Sequence, residues 1–172
     1  MSTPSVPAAA VGIDLADWRT LAPAEREIVT RLEISPGQVE FAGAIARSVA
    51  ACEAGDPDEV AGLAIRADGR IVGWVLLKRG ASAPEWVPDD AAIVSGLRID
   101  QREQGRGIGA LALAEVARWA RGYWPQAARL VLRVDEGNAA GIRAYEKAGW
   151  REHGERRIGR VGVERTMTLA LR

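Results

Sequence analysis

Six consecutive residues, Gln104-Gly105-Arg106-Gly107-Ile108-Gly109, combine the features of a phosphate-binding loop. They follow an apolar run from Ala91 to Ile99 and open an alanine- and leucine-rich stretch with helical spacing. Strand, glycine loop and helix N-terminus in that order bring free backbone N–H groups to one point, where the helix dipole also favours negative charge. Glycine matters there because a Cβ would hold phosphate oxygens off the backbone. The segment implies a nucleotide-like ligand. The plainer alternative is a glycine-rich turn with no ligand, since short glycine motifs are common.

Two ligand classes fit the glycines. Gly105, Gly107 and Ala110 satisfy the looser dinucleotide pattern G-x-G-x-x-A. That pattern needs the first glycine to follow the strand directly, and here the charged connector Asp100-Gln101-Arg102-Glu103-Gln104 intervenes. Too little chain follows Ala110 for most of a doubly wound domain. The other pattern is Q/R-x-x-G-x-G/A, the loop that holds the pyrophosphate of coenzyme A. Gln104, Gly107 and Gly109 match it at every specified position.

The flanks decide between them. Leu97-Arg98-Ile99-Asp100 stands before the loop, and Asn138-Ala139-Ala140-Gly141-Ile142-Arg143-Ala144-Tyr145-Glu146-Lys147-Ala148-Gly149-Trp150 follows it. This series resembles the GNAT superfamily of acetyl-CoA-dependent N-acetyltransferases, with departures at Gly141, where alanine is usual, and Trp150, where phenylalanine is usual. The close match runs from Ile93 to Trp150 and a looser one from about Trp18 to Leu171. The resemblance implies an α/β fold, a mixed central β-sheet flanked by helices in a single domain, with acetyl-CoA as cosubstrate, an amine as acceptor and no metal.

It also implies roles. Tyr145 occupies the general-acid position. A phenol of pKa about 10 is protonated at neutral pH and can donate to a departing thiolate; the alternative is a tyrosine capping the core. Leu97 and Ile99 lie on the strand that splays at a bulge, whose unpaired backbone groups meet the pantetheine arm. The backbone of Gln104, Gly105, Arg106, Gly107, Ile108, Gly109 and Ala110 would hold the pyrophosphate. Asn138 lies near the pantetheine arm or the attacking amine, or is simply a helix N-cap. Arg143 and Lys147, four apart, are candidates for the 3′-phosphate or form a solvated basic face.

The general base is not legible. The strand Ala92 to Ile99 holds no acid, and Ser95 is its only side-chain hydroxyl. Glu85, Asp89 and Asp90 form an acidic group just before it, which could relay a proton through water or attract a cationic amine. Leu32-Glu33-Ile34-Ser35-Pro36-Gly37-Gln38 with Phe41, and Leu97-Arg98-Ile99-Asp100 before the loop, resemble the spermine/spermidine (diamine) acetyltransferase branch, which implies a small polyamine acceptor. A protein or peptide N-acetyltransferase and a non-catalytic acyl-CoA-binding module are the alternatives; the latter would not need the Tyr145 phenol. Nothing places Cys52 near the site, so direct transfer in a ternary complex is expected. His153 reads as structural. Members of the superfamily often form homodimers.

Composition fits a small enzyme. The 172 residues suffice for one domain with a real core, and 48% are hydrophobic. Lys+Arg and Asp+Glu both number 23, which argues against non-specific binding to nucleic acid or an anionic membrane. A single cysteine excludes an intramolecular disulfide and suits a reducing, cytoplasmic setting. One His and one Cys cannot build an ordinary zinc site. No signal peptide or membrane-length apolar run is evident.

Residues 1–11 read as a disordered Ser/Pro/Ala-rich tail, and 12–172 as the domain. Strands are expected at Trp18 to Leu21, Val60 to Arg66, Arg70 to Lys78, Ala92 to Ile99, Arg129 to Val134, Trp150 to Gly154 and Gly162 to Leu171. Ala67-Asp68-Gly69 signals a hairpin. Helices are expected from Pro23 to Leu32, from Pro36 with Val39, Ala42, Ala46 and Val49 on one face, from Gly107 to Arg121 with Ile108, Ala112, Val116 and Trp119 inward, and from Asn138 to Ala148.

Overall fold

The computed structural model describes residues 10–172, so most of the expected tail lies outside the described residues. Strand β1 is Ile13–Asp17, earlier than the expected Trp18 start. The reason is local: the Asp17 side chain accepts from the Arg19 N–H at 2.8 Å and turns Trp18–Thr20 into a short 3-10 helix. Helix α1 (Pro23–Thr30) follows. The single helix expected from Pro36 is two, α2 (Pro36–Ala42) and α3 (Ile45–Ala54), because Gly43 takes the left-handed φ of 73° and stops the first.

Strands β2 (Val60–Ala67) and β3 (Arg70–Arg79) form the hairpin read from the sequence. Then come β4 (Ala91–Ile99), α4 (Ile108–Tyr123), β5 (Arg129–Asp135) and α5 (Ala139–Lys147). The end of the chain adds β6 (Arg151–Glu152), β7 (Arg157–Ile158), which the sequence did not announce, and β8 (Val163–Ala170). The sheet order is β1-β2-β3-β4-β5-β8-β6, with β7 also on β8. Only β4 and β5 pair in parallel.

Helices cover both faces. Ile108, Ala112, Leu113, Val116, Ala117 and Ala120 of α4 are buried, the small alanines letting the helix sit close to the sheet. Trp119, expected inward, is only partly buried and stacks on exposed Tyr123 at 4.8 Å. On the other face, α1 and α3 close over Trp18, Cys52 and Trp74. Trp74 is fully buried, edge-on to Trp18 at 5.7 Å, and its indole N–H donates to Ser48 Oγ at 2.8 Å. No described helix is long and apolar enough to cross a membrane.

One irregularity positions the site. Along β3 and β4, Trp74 faces Arg98 and Leu76 faces Ser95, so Gly96 and Leu97 together oppose Val75. Gly96 has φ 59°, the left-handed value that lets the strand bend at this bulge. The parallel ladder between β4 and β5 holds only at Ala91, Ala92 and Ile93. Beyond it the two strands part company, and the sheet opens.

Candidate active site

The opening is a cleft of 590 Å³ between the end of β4, the glycine loop, α5 and α2. Leu97, Ile99, Gln104, Gly105, Gly107, Ile108, Gly109, Ala110, Asn138, Arg143, Tyr145 and Lys147 all line it. Arg106 alone among the expected residues does not; its exposed guanidinium pairs with Glu103. Gly105 and Gly107 hold left-handed φ of 80° and 74°, which a side chain would strain. Gly107 also caps α4 without a side chain. Leu111 N–H bonds Gly107 O, while the N–H groups of Ile108, Gly109 and Ala110 have no carbonyl a turn earlier to serve them. Three free donors at a positive helix end suit a bound anion.

The side chain of Gln104 does something else. Its amide donates to Ile99 O at 2.9 Å and exchanges hydrogen bonds with Gln38 of α2. Two further residues, unassigned from sequence, brace the same region. Asp100, 3% exposed, accepts from Arg102 N, Nε and Nη2 and from Glu33 N, knotting the root of the loop to the segment before α2. These bonds hold its carboxyl well below the usual carboxylate range. Arg98, 4% exposed, donates to Gly96 O, Gly43 O and Ala42 O, tying the bulge to the end of α2. Burial lowers its pKa. The Asp100-to-Arg102 spacing was the one available signal, that of an Asx turn.

Tyr145 is partly buried beside Trp150, ring centres 5.9 Å apart. Burial pushes its pKa up to about 12, so the phenol keeps its proton across the physiological range. Its hydroxyl makes no hydrogen bond among the described residues. Asn138 caps α5 through Oδ1, which accepts from Gly141 N at 3.0 Å. A Cβ on Gly141 would stand 2.5 Å from Asn138 Nδ2, which explains glycine here where alanine is usual. Asn138 thus caps α5 and also lines the cleft. Arg143 and Lys147 are exposed on the cleft rim and form no ion pair among the described residues.

A second cavity, of 170 Å³, lies behind a wall that Phe41, Ala42, Leu97, Asn138 and Tyr145 share with the first. Glu40, Ser95, Arg133, Asp135, Arg160 and Glu164 supply the rest of its polar side chains. The Ser95 hydroxyl is engaged, donating to Leu76 O at 3.2 Å. Glu85, Asp89 and Asp90 line neither space, which overturns their expected role. They precede β4, at its paired end, and Asp90 is held by Arg129 at 2.8 Å. The bulge lies about five residues on, roughly 16 Å along a strand. His153 is exposed, its N–H on Thr166 O.

A family model described as acetyltransferase (GNAT) family matches residues 24–150. No curated protein matches the sequence. Among solved structures, an aminoglycoside acetyltransferase, AAC(6')-Ib, in complex with coenzyme A is similar with a TM-score of 0.69 and 17% identity, over 94% of this chain and 95% of that one. A ribosomal-protein alanine N-acetyltransferase from Escherichia coli gives a TM-score of 0.64 and 17% identity, over 93% and 94%. The GNAT domain of S. lividans PAT gives 0.68 and 22%, over 93% and 90%. At such identities the likeness to these three is one of fold.

Proposed function

The chain belongs to the acetyltransferase (GNAT) family, and we propose that it moves the acetyl group of acetyl-CoA directly onto a primary amine. The observation that carries this is the shared wall: two cavities meet at Tyr145 and Asn138, one with an anion site at its far end. In this reading the pyrophosphate binds the N–H groups of Ile108, Gly109 and Ala110, and Arg143 and Lys147 take the 3′-phosphate. The pantetheine amides pair with the unladdered backbone around Leu97. The acetyl group reaches the wall, and the amine comes from the smaller cavity.

The amine nitrogen attacks the thioester carbon; a C–N bond forms and the C–S bond breaks. The thiolate takes the Tyr145 proton. The nitrogen, an ammonium in water, gives up two protons over the cycle: one restores the phenol and one leaves to solvent. A phenol whose pKa is raised by burial enters each cycle protonated. Cys52 supports direct transfer over a covalent relay, because it is fully buried on the other face of the sheet and burial raises its thiol pKa.

The acceptor class is primary amines. Two neighbours named above acetylate an aminoglycoside and a ribosomal-protein alanine, as their names say; a polyamine is the acceptor implied by the resemblance of the segment around Gln38. CoA release from acetyl-CoA, measured against polyamines, amino acids, aminoglycosides and peptides, tests the reading. Varying both substrates should give intersecting double-reciprocal lines. Parallel lines would mean an acetylated enzyme, and no amine-dependent release would end the proposal.

A further inference from the structure

The smaller cavity holds an unusual set of charges. Glu40, Asp135, Glu164, Arg133 and Arg160 all line it, and none makes an ion pair among the described residues. Glu40 and Arg160 are exposed and Arg160 Nη2 donates to Glu40 O, which leaves the partly buried Arg133, Asp135 and Glu164 as the charges without a counter-ion.

Two of them hold fully buried polar atoms with no partner: Arg133 Nε and Asp135 Oδ2. Leaving such an atom unsatisfied is costly, most of all on a charged group. Both residues sit on β5, two apart and so on the same face. They do not quench each other because the Arg133 guanidinium lies over the Trp86 ring, 3.8 Å from its centre. The other Asp135 oxygen is taken by Gly137 N–H at 2.8 Å.

Across the ladder, Asp135 stands directly opposite Glu164. Like charges facing each other on a sheet are destabilising; Arg157 of β7 stands opposite Glu164 on its other side, and no such cation stands opposite Asp135. Two glycines make room for the pair. A Cβ on Gly162 would come 3.2 Å from Asp135 Oδ2, and one on Gly159 would collide with the Glu164 carboxyl. An ammonium group answers the acids. A ligand that carried only positive charge would leave Arg133 and Arg160 worse off than before.

Resting on the acetyl-transfer reading, we infer that the acceptor is a small amino carboxylic acid, its ammonium held by Asp135 and Glu164 and its carboxylate by Arg133. A polyamine supplies only half of that complement.

The test uses the full chain with acetyl-CoA and three acceptors of equal carbon number: γ-aminobutyrate, n-butylamine and putrescine, with alanine against ethylamine as a shorter pair. A charge-assisted contact is among the stronger ones, so kcat/KM for the amino acid should exceed that for either matched amine at least about tenfold, about 1.4 kcal/mol. Arg133→Met removes the charge but keeps an aliphatic arm against Trp86, and should collapse that ratio. Asp135→Asn should raise KM for every acceptor. Neither residue lines the donor cleft, so unchanged acetyl-CoA affinity confirms folding. Preference for putrescine, or a ratio that survives Arg133→Met, overturns the inference while transfer stands. If acetyl-CoA binds and no amine is turned over, the transfer reading itself fails and takes this inference with it.

Discussion

Gln38 and Gln104 exchange amide hydrogen bonds, at 3.2 Å one way and 3.1 Å the other, across the mouth of the larger cleft. The glutamine of the pyrophosphate-loop motif thus serves as a clasp that brings α2 onto the loop. With Arg98 at the other end of α2, it fixes a helix that has no buried residue of its own. A helix so short and so exposed holds its place through these contacts.

Replacing Gln38 with leucine should therefore loosen α2 without touching the chemistry. Neutral hydrogen bonds contribute about 0.5–1.5 kcal/mol each. KM for acetyl-CoA and for the acceptor should rise several-fold while kcat changes little. A fall in kcat with both KM values constant would assign the clasp a different task.

Gly107→Val tests the anion site. Valine at φ 74° is strained, and its branched side chain would stand where a phosphate must approach the backbone. Acetyl-CoA affinity should drop at least tenfold, about 1.4 kcal/mol. Titration calorimetry on a variant shown by its melting curve to be folded gives the answer; unchanged affinity moves the pyrophosphate elsewhere.

Asp100 makes a stability prediction with a definite sign. Its folded pKa lies below the ordinary Asp value of about 3.9 because Arg102 and two N–H groups hold the anion. Its contribution is fully present above the unfolded pKa and fades as pH falls through that value toward the folded one. Asp100→Asn should cost about 1–3 kcal/mol at pH 7, and the gap to wild type should narrow below about pH 4. Urea denaturation across that range measures it; a pH-independent gap would mean that the charge is not what stabilises the knot.

The parts of this molecule that sequence made legible are those whose signals are local. A helix beginning at a glycine, a capping asparagine and a hairpin at Asp68-Gly69 each announce themselves within a few residues. The smaller cavity did not, because it depends on register. Asp135 meets Glu164 only once β5 and β8 are aligned, and Arg133 stays free only because Trp86 comes from a loop that precedes β4. Glu85, Asp89 and Asp90 misled for the converse reason. They are near the bulge along the chain but at the paired end of the strand, where Asp90 meets Arg129. The division of α2 from α3 turned on one glycine whose φ no periodicity reveals.

The most direct test of the account is the kcat of Tyr145→Phe at saturating acetyl-CoA with the best amine of the panel. The change keeps the ring against Trp150 and removes only the proton donor. General acid catalysis is worth about 10²–10⁴-fold, so kcat should fall by that much while acetyl-CoA binding stays as it was. A kcat within about threefold of wild type, with chemistry rate-limiting, would contradict the central claim that this phenol protonates the leaving thiolate.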